Sequence, residues 1–153
     1  MKKVVLIMVL ASMLAGCSGG LSSITDQVFA RNAQPEIVIE TLYEAVFNND
    51  AETVNQLLMY LESYDEDPYE AIEELSWQIE EVGGMNNLNI TEIEQGYMKT
   101  EVIMEMNEYY RSEWRLVAVK LGEDETLGWV LQEIDDRPVI IAVEEINIEY
   151  LIK

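Results

Sequence analysis

The chain has 153 residues, of which 30 are aspartate or glutamate, nine are lysine or arginine and none is histidine, for a formal net charge of −21 at pH 7. That length fits one domain, and so acidic a chain repels nucleic acid and anionic head groups while favouring basic proteins, polycations or divalent metal. The lack of histidine removes the commonest general base, the Ser-His-Asp and Cys-His mechanisms and every imidazole metal site.

Lys2 and Lys3 precede an apolar run at 4–14. The run is too short to span a bilayer, which takes about 20 apolar residues, and it has the layout of a cleaved export signal. Leu14-Ala15-Gly16-Cys17 follows and holds the single cysteine. This tetrapeptide resembles the lipobox of bacterial lipoproteins. The resemblance implies removal of residues 1–16 and lipidation of Cys17. Each buried methylene contributes about 0.8 kcal/mol, so several acyl chains give lasting attachment to the membrane. Ser18 stands where an aspartate tends to retain such proteins in the inner membrane, which implies the periplasmic face of the outer membrane. With Cys17 acylated, neither a disulfide nor a free thiol remains. Residues 17–34 then form the lipidated cysteine and a flexible tether with a reach of roughly 20 to 25 Å, part of 24–30 being open to a short docking helix. Residues 35–153 form the domain.

Pro35 opens a helix in which Ile39, Leu42, Tyr43, Val46 and Phe47 share one face and Glu36, Glu40 and Glu44 another. Asn48-Asn49-Asp50 breaks it, and Asp50 can cap a second helix carrying Val54, Leu57, Leu58 and Leu61. The acidic stretch 64–70 invites a calcium reading. Its spacing, however, lacks the alternating acids and central glycine of an EF-hand, and Asp67-Pro68 followed by Glu70 reads as a helix start. The third helix turns Ile72, Leu75, Ile79 and Val82 inward and stops at Gly83-Gly84. From Asn87 the period becomes two. Strands are expected at Leu88 and Ile90, at 98–106, at 114–121 and at 127–134, with a fifth at 139–143 whose alternation continues to Ile152. On this reading Tyr109 and Tyr110 sit at a hairpin tip.

Three helices followed by antiparallel strands, with Trp114 and Trp129 in a pair reading 113–119 and 128–131, resemble the nuclear transport factor 2-like, or cystatin-like, cone. The run 35–38 through 47–52 fits the same pattern, and the likeness covers 35–134. It implies an α+β fold of N-terminal helices packed on a curved antiparallel sheet of four to five strands, with a pocket between them. Some members of that superfamily use the pocket as enzymes and many only bind. The enzymatic sites of the family rely on His or Asp in an apolar pocket, and this chain has no His.

No catalytic, cofactor-binding or metal-ligating residue stands out. The surviving option, carboxylate chemistry, has no specific spacing among 30 acids. Charge is more telling: between Arg31 and Lys99 there is no basic residue. The helical half reads as either a solubilising face or an acidic docking surface, with Tyr60, Tyr64, Tyr69 and Trp77 among the acids as interface anchors. Asp65, Glu66, Asp67, Tyr69, Tyr109 and Tyr110 are the candidate partner-binding residues. The methionines at 98, 104 and 106 read as core or pocket lining. The expected function is a lipid-anchored, non-enzymatic domain that binds a ligand or protein, attached to the membrane through Cys17, with a basic protein as partner and no nucleic acid or cofactor. The alternatives are an immunity or exclusion lipoprotein that neutralises a basic toxin or phage component, and a carboxylate-dependent enzyme using the cone pocket.

Overall fold

Proline loses nothing in a first helical turn, where its missing N–H has no intrahelical partner to serve. Pro35 accordingly starts α1 (Pro35–Phe47) in the computed structural model, which describes residues 33–111, 113–122 and 125–153. The export signal, Cys17 and the tether through residue 32 lie outside the described residues. α1 buries Val38, Ile39, Leu42, Tyr43 and Val46. Phe47, expected on that face, is 64% exposed, because the chain leaves the helix there through Asn48 and a left-handed Asn49.

Asp50 caps α2 (Ala51–Leu58): its carboxylate accepts from the Thr53 N–H at 3.2 Å and the Thr53 hydroxyl at 2.7 Å. α3 (Pro68–Glu81) begins in the same way, with Asp67 Oδ1 accepting from the N–H groups of Tyr69 at 2.9 Å and Glu70 at 3.4 Å. The acidic stretch is thus a helix start. Past its end, Gly83 and Gly84 take positive φ, which side chains resist.

The strands β1 (Asn89–Ile93), β2 (Trp114–Lys120), β3 (Thr126–Ile134) and β4 (Arg137–Glu145) form one antiparallel sheet in chain order. The fold is α+β, with four strands among the described residues. β3 turns into β4 through Asp135 and Asp136, both at positive φ, as a two-residue hairpin requires. Val130 pairs with Ala142 and Leu131 with Ile140, so Ile141 is the extra residue of a bulge that bends and twists the sheet.

One expected strand is a helix, and the last expected strand ends sooner than its alternation suggests. Residues 98–106 belong mostly to a helix, α4 (Thr100–Tyr110). Val102, Ile103, Met106 and Tyr110 share its sheet-facing side, while Met104 is exposed. The alternation at 98–106 coincides with this helical spacing, and Glu and Met favour the helix. Tyr109 and Tyr110 therefore end a helix and do not tip a hairpin. The tail is also not one long strand. After β4, the side chain of Asn147 caps a short helix, α5 (Ile148–Leu151), and only an isolated bridge between Met98 and Ile152 keeps strand-like pairing.

The sheet is consequently covered on both faces. Val117, Val119, Trp129 and Leu131 pack against α1, α2 and α3, forming the larger core. Trp114, Leu116 and Val130 point the other way, into a smaller core closed by Met98, Val102 and Leu151. The Trp114 indole N–H donates to Asn107 Oδ1 of α4 at 2.8 Å. Glu36, in the first turn of α1, accepts from the edge N–H of Glu92 in β1 at 2.7 Å and so closes part of that edge.

Candidate functional site

At the end of the sheet where β3 begins and β4 finishes, α3 and the loop before it stand off from the strands. They enclose a cavity of about 430 Å³. Its walls are apolar: Leu58, Leu61 and Leu75 from the helical side, Leu127 and Val143 from the sheet. Its mouth is acidic. Asp65, Asp67, Glu70 and Glu74 line it from the loop and α3, and Glu144 and Glu145 from the end of β4, all six solvent-exposed. Among the described residues, no lysine or arginine lines the cavity.

The local sequence explains the convergence. Asp67 starts α3, and Glu70, Glu74 and Gln78 then follow at successive helical turns along one stripe beside Ala71 and Leu75. Across the gap, Glu144 pairs with Gly128 and Glu145 with Leu127 in the ladder, so the last residues of β4 stand opposite that stripe.

The buried end of the cavity holds Gln78 and Trp129, 8% and 2% exposed. Gln78 Oε1 accepts from the Tyr43 hydroxyl at 2.9 Å. Tyr43 in turn meets Trp129 edge-on, with ring centroids 6.3 Å apart and planes at 86°. Burial pushes the Tyr43 hydroxyl far above the ordinary tyrosine value, and hydrogen bonding from the Trp129 indole N–H, which faces it, opposes this only in part.

Two tyrosines frame the mouth. Tyr64 lines it and donates to Asn55 Oδ1 at 2.8 Å, which ties the loop to α2. Burial first, then Asp67 and Glu66, raise its hydroxyl above the usual value. Tyr110, at the end of α4, donates to Glu144 Oε1 at 3.3 Å and carries the ring of Tyr109 at 6.3 Å. Its hydroxyl too is raised, by burial and then by Glu144, Tyr109 and Glu62.

Of the residues singled out from the sequence, Asp65 and Asp67 line the cavity and Tyr110 borders it through Glu144, with Tyr109 behind. Glu66 and Tyr69 are exposed outside it, Glu66 at a positive φ within the loop. Two patches far apart in sequence therefore meet at one mouth. Glu70, Glu74, Gln78, Trp129, Glu144 and Glu145 were not among the binding candidates read from the sequence. The first three leave a trace, a polar i, i+4, i+8 series directly beside the apolar stripe. Glu144-Glu145 ends an apolar run, which only the register makes meaningful.

Among the described residues, no three acids come close enough to hold a metal ion. Each rim carboxylate is exposed and outside the apolar surroundings that a carboxylate base requires. What the arrangement can do is attract positive charge over an apolar cleft. A second hollow, of about 450 Å³, lies under the β3–β4 turn and is lined by Leu57, Met59, Tyr60, Ile134, Arg137 and Pro138 among others. Three basic side chains of the sheet half are engaged elsewhere: Lys99 Nζ with the carbonyls of Glu149 and Tyr150, Lys153 Nζ with that of Gly96, and Arg115 with Glu92.

Compared with protein-family models, curated proteins and solved structures, the chain matches none of them. No helix among the described residues is long and apolar enough to cross a membrane.

Proposed function

We propose that this chain is a non-enzymatic binding domain, tethered by lipid on Cys17 to the periplasmic face of an outer membrane, whose acid-rimmed cavity captures a positively charged ligand. The tether rests on the lipobox-like residues 14–17 and on Ser18. A nuclear transport factor 2-like fold is part of the same proposal, supported by the order of three helices before a bulged antiparallel sheet. The observation that carries the binding reading is the meeting of six carboxylates from two separate chain segments around one apolar cleft that, among the described residues, no basic side chain lines. A solubilising surface needs charge but has no need to gather it around a cleft with leucines in its walls.

The test is calorimetric titration of the full chain, kept in neutral detergent, with pentalysine at low and at physiological salt. Binding is expected at low salt and should weaken as salt rises, because exposed charges are screened beyond about 8–10 Å. The variant Glu70→Gln, Glu74→Gln, Glu144→Gln, Glu145→Gln should bind at least tenfold more weakly. Equal binding by this variant would sink the reading. Mass spectrometry of the chain expressed in a Gram-negative host checks the anchor: a diacylglyceryl adduct is expected on Cys17 and should vanish in Cys17→Ser.

A second reading, capture of a basic protein as an immunity or exclusion lipoprotein would do, is favoured by Tyr109 and Tyr110 beside the mouth. Tyr109 is 76% exposed and would extend a contact beyond the cavity itself.

A further inference from the structure

The hollow under the β3–β4 turn has no part in the binding reading, and its walls are mostly apolar. Leu57, Met59 and Tyr60 come from the end of α2 and the residues after it, and Ile134, Pro138 and Val139 from the β3–β4 hairpin. Three of these stand open to solvent: Met59 is 60% exposed, Tyr60 50% and Ile134 37%. Apolar surface grouped in this way marks an interaction site, whereas large apolar side chains scattered singly do not.

The chain itself lies within reach. Val38, in the first turn of α1, is also in the wall of the hollow. The described chain begins only five residues earlier, at Ala33, which packs against the larger core. An extended chain covers about 3.3–3.6 Å per residue, so the residues just before Ala33 can span the hollow. They read Ile24-Thr25-Asp26-Gln27-Val28-Phe29-Ala30-Arg31. Ile24, Val28 and Phe29 supply large apolar side chains, and Asp26 and Arg31 one charge of each sign. The hollow likewise carries one of each, Asp135 and Arg137. The acid-rimmed cavity, by contrast, offers Asp26 no base among the described residues. Reach, apolar character and charge thus select the same occupant.

We propose that residues 24–31 of this chain dock in the hollow, with Ile24, Val28 and Phe29 against Met59, Tyr60, Ile134 and Val139, and Arg31 toward the acids of the β3–β4 turn. The hollow lies at the start of β4 and the acidic mouth at its finish, and Val139 and Glu144 are about 17 Å apart along the strand. Docking therefore attaches the tether at the end of the sheet remote from the mouth. It also shortens the link to residues 17–23, with a reach of about 15 Å. Combined with the lipid on Cys17 proposed above, on which this consequence rests, it holds the mouth on the side away from the membrane.

Trypsin reads the docking directly, because Arg31 is the only lysine or arginine between Lys3 and Lys99. The full chain in neutral detergent is digested beside a synthetic peptide of residues 22–36, and cleavage after Arg31 is timed by mass spectrometry. Cleavage tracks the open fraction when opening is fast, so the full chain should be cut at least about tenfold more slowly than the peptide. Two variants attack the contact from its two sides. Val28→Asp with Phe29→Asp alters the segment and leaves the domain untouched. Met59→Gln with Tyr60→Gln alters the hollow at side chains that are already exposed. Each should bring cleavage close to the rate of the peptide, whereas Tyr69→Ser, exposed on α3 outside both hollows, should leave the protection intact.

Cleavage of the native chain at the rate of the peptide overturns the proposal. Protection that survives Met59→Gln with Tyr60→Gln also overturns it, by placing the segment elsewhere. Protection lost in Cys17→Ser assigns it to the detergent micelle, and a dimer in sedimentation that Tyr60→Gln dissociates gives the hollow to a second copy; either result overturns the docking. Protection that holds in a chain without the Cys17 adduct removes the lipid reading and leaves the docking standing.

Discussion

The two faces of the sheet are built from different numbers of partners. On the face carrying Val117, Val119, Trp129 and Leu131, three helices contribute to one continuous core, in which Ile39, Leu42 and Val54 are fully buried. On the face carrying Trp114, Leu116 and Val130, a single longer helix and the short α5 close a core of five buried residues. Gly128 belongs to this thinner side. A Cβ there would lie 2.7 Å from Ile146 Cγ2 and 3.1 Å from Leu116 Cδ1, so the absent side chain is what lets the tail cross the sheet closely. The tail is then fastened by main-chain bonds, Lys99 N–H to Leu151 C=O at 2.8 Å and Lys153 N–H to Tyr97 C=O at 3.0 Å. One face thus holds the fold by apolar burial, and the other adds a cover that relies more on hydrogen bonds.

The contrast is tested first where it is largest. Leu42→Ala, in the three-helix core, should cost about 2–5 kcal/mol and lower the midpoint of a single cooperative urea transition. Val102→Ala, in the thinner core, should cost less, about 1.5–3 kcal/mol by lost burial. Its signature should be local: amide hydrogen exchange across 100–110 and 147–153 should quicken before the rest of the protein opens. Uniform quickening in Val102→Ala would show that the two faces unfold as one unit.

The thicker face was also the more legible in sequence. Pro35, Asp50, Asp67 and Gly83-Gly84 mark helix ends with local chemistry that the structure uses as such, and the apolar spacing within α1, α2 and α3 admits only a helix. In 98–106 the same residues satisfy two periods. Met98, Val102 and Met106 recur every four positions and also at every second one, so alternation alone misassigned the segment. Ile103 and Tyr110 were the arbiters, since they join Val102 and Met106 only on a helix. Asn147 was a readable cap that the alternating isoleucines obscured. The cavity was half legible. Asp65 and Asp67 stood out as a cluster, but Glu144, Trp129 and Gln78 reach it through strand register and helix docking, which exist only once the sheet has formed.

A smaller effect comes from the hydrogen bond behind the cavity. The Tyr43 hydroxyl is held neutral by burial, so its value in the folded protein lies above the ordinary 10 of the unfolded chain. The folded state then keeps a proton that the unfolded state releases, so stability from this group is complete below pH 10 and falls as pH rises beyond it, by about 1.4 kcal/mol per pH unit. Tyr43→Phe should show a shallower loss between pH 9.5 and 11 in urea denaturation. At pH 7 it should cost about 1 kcal/mol, because Gln78 Oε1 loses its donor. An unchanged alkaline slope in Tyr43→Phe would remove Tyr43 from the account.

The smallest effect joins the fold to the cavity through one residue. Asp67 caps α3 with Oδ1 and also lines the mouth, so its carboxylate has a structural and an electrostatic part. Asparagine caps about as well as aspartate, and alanine does not. Asp67→Asn should leave the urea midpoint within a few tenths of a kcal/mol of the native value and weaken pentalysine binding by up to about fivefold, the scale of one exposed charge pair. Asp67→Ala should lose the same charge and about 1 kcal/mol of stability besides. Equal binding by the native chain and Asp67→Asn, with weaker binding by Asp67→Ala alone, would mean that Asp67 shapes the mouth without attracting its ligand. The electrostatic work would then fall to Glu70, Glu74, Glu144 and Glu145.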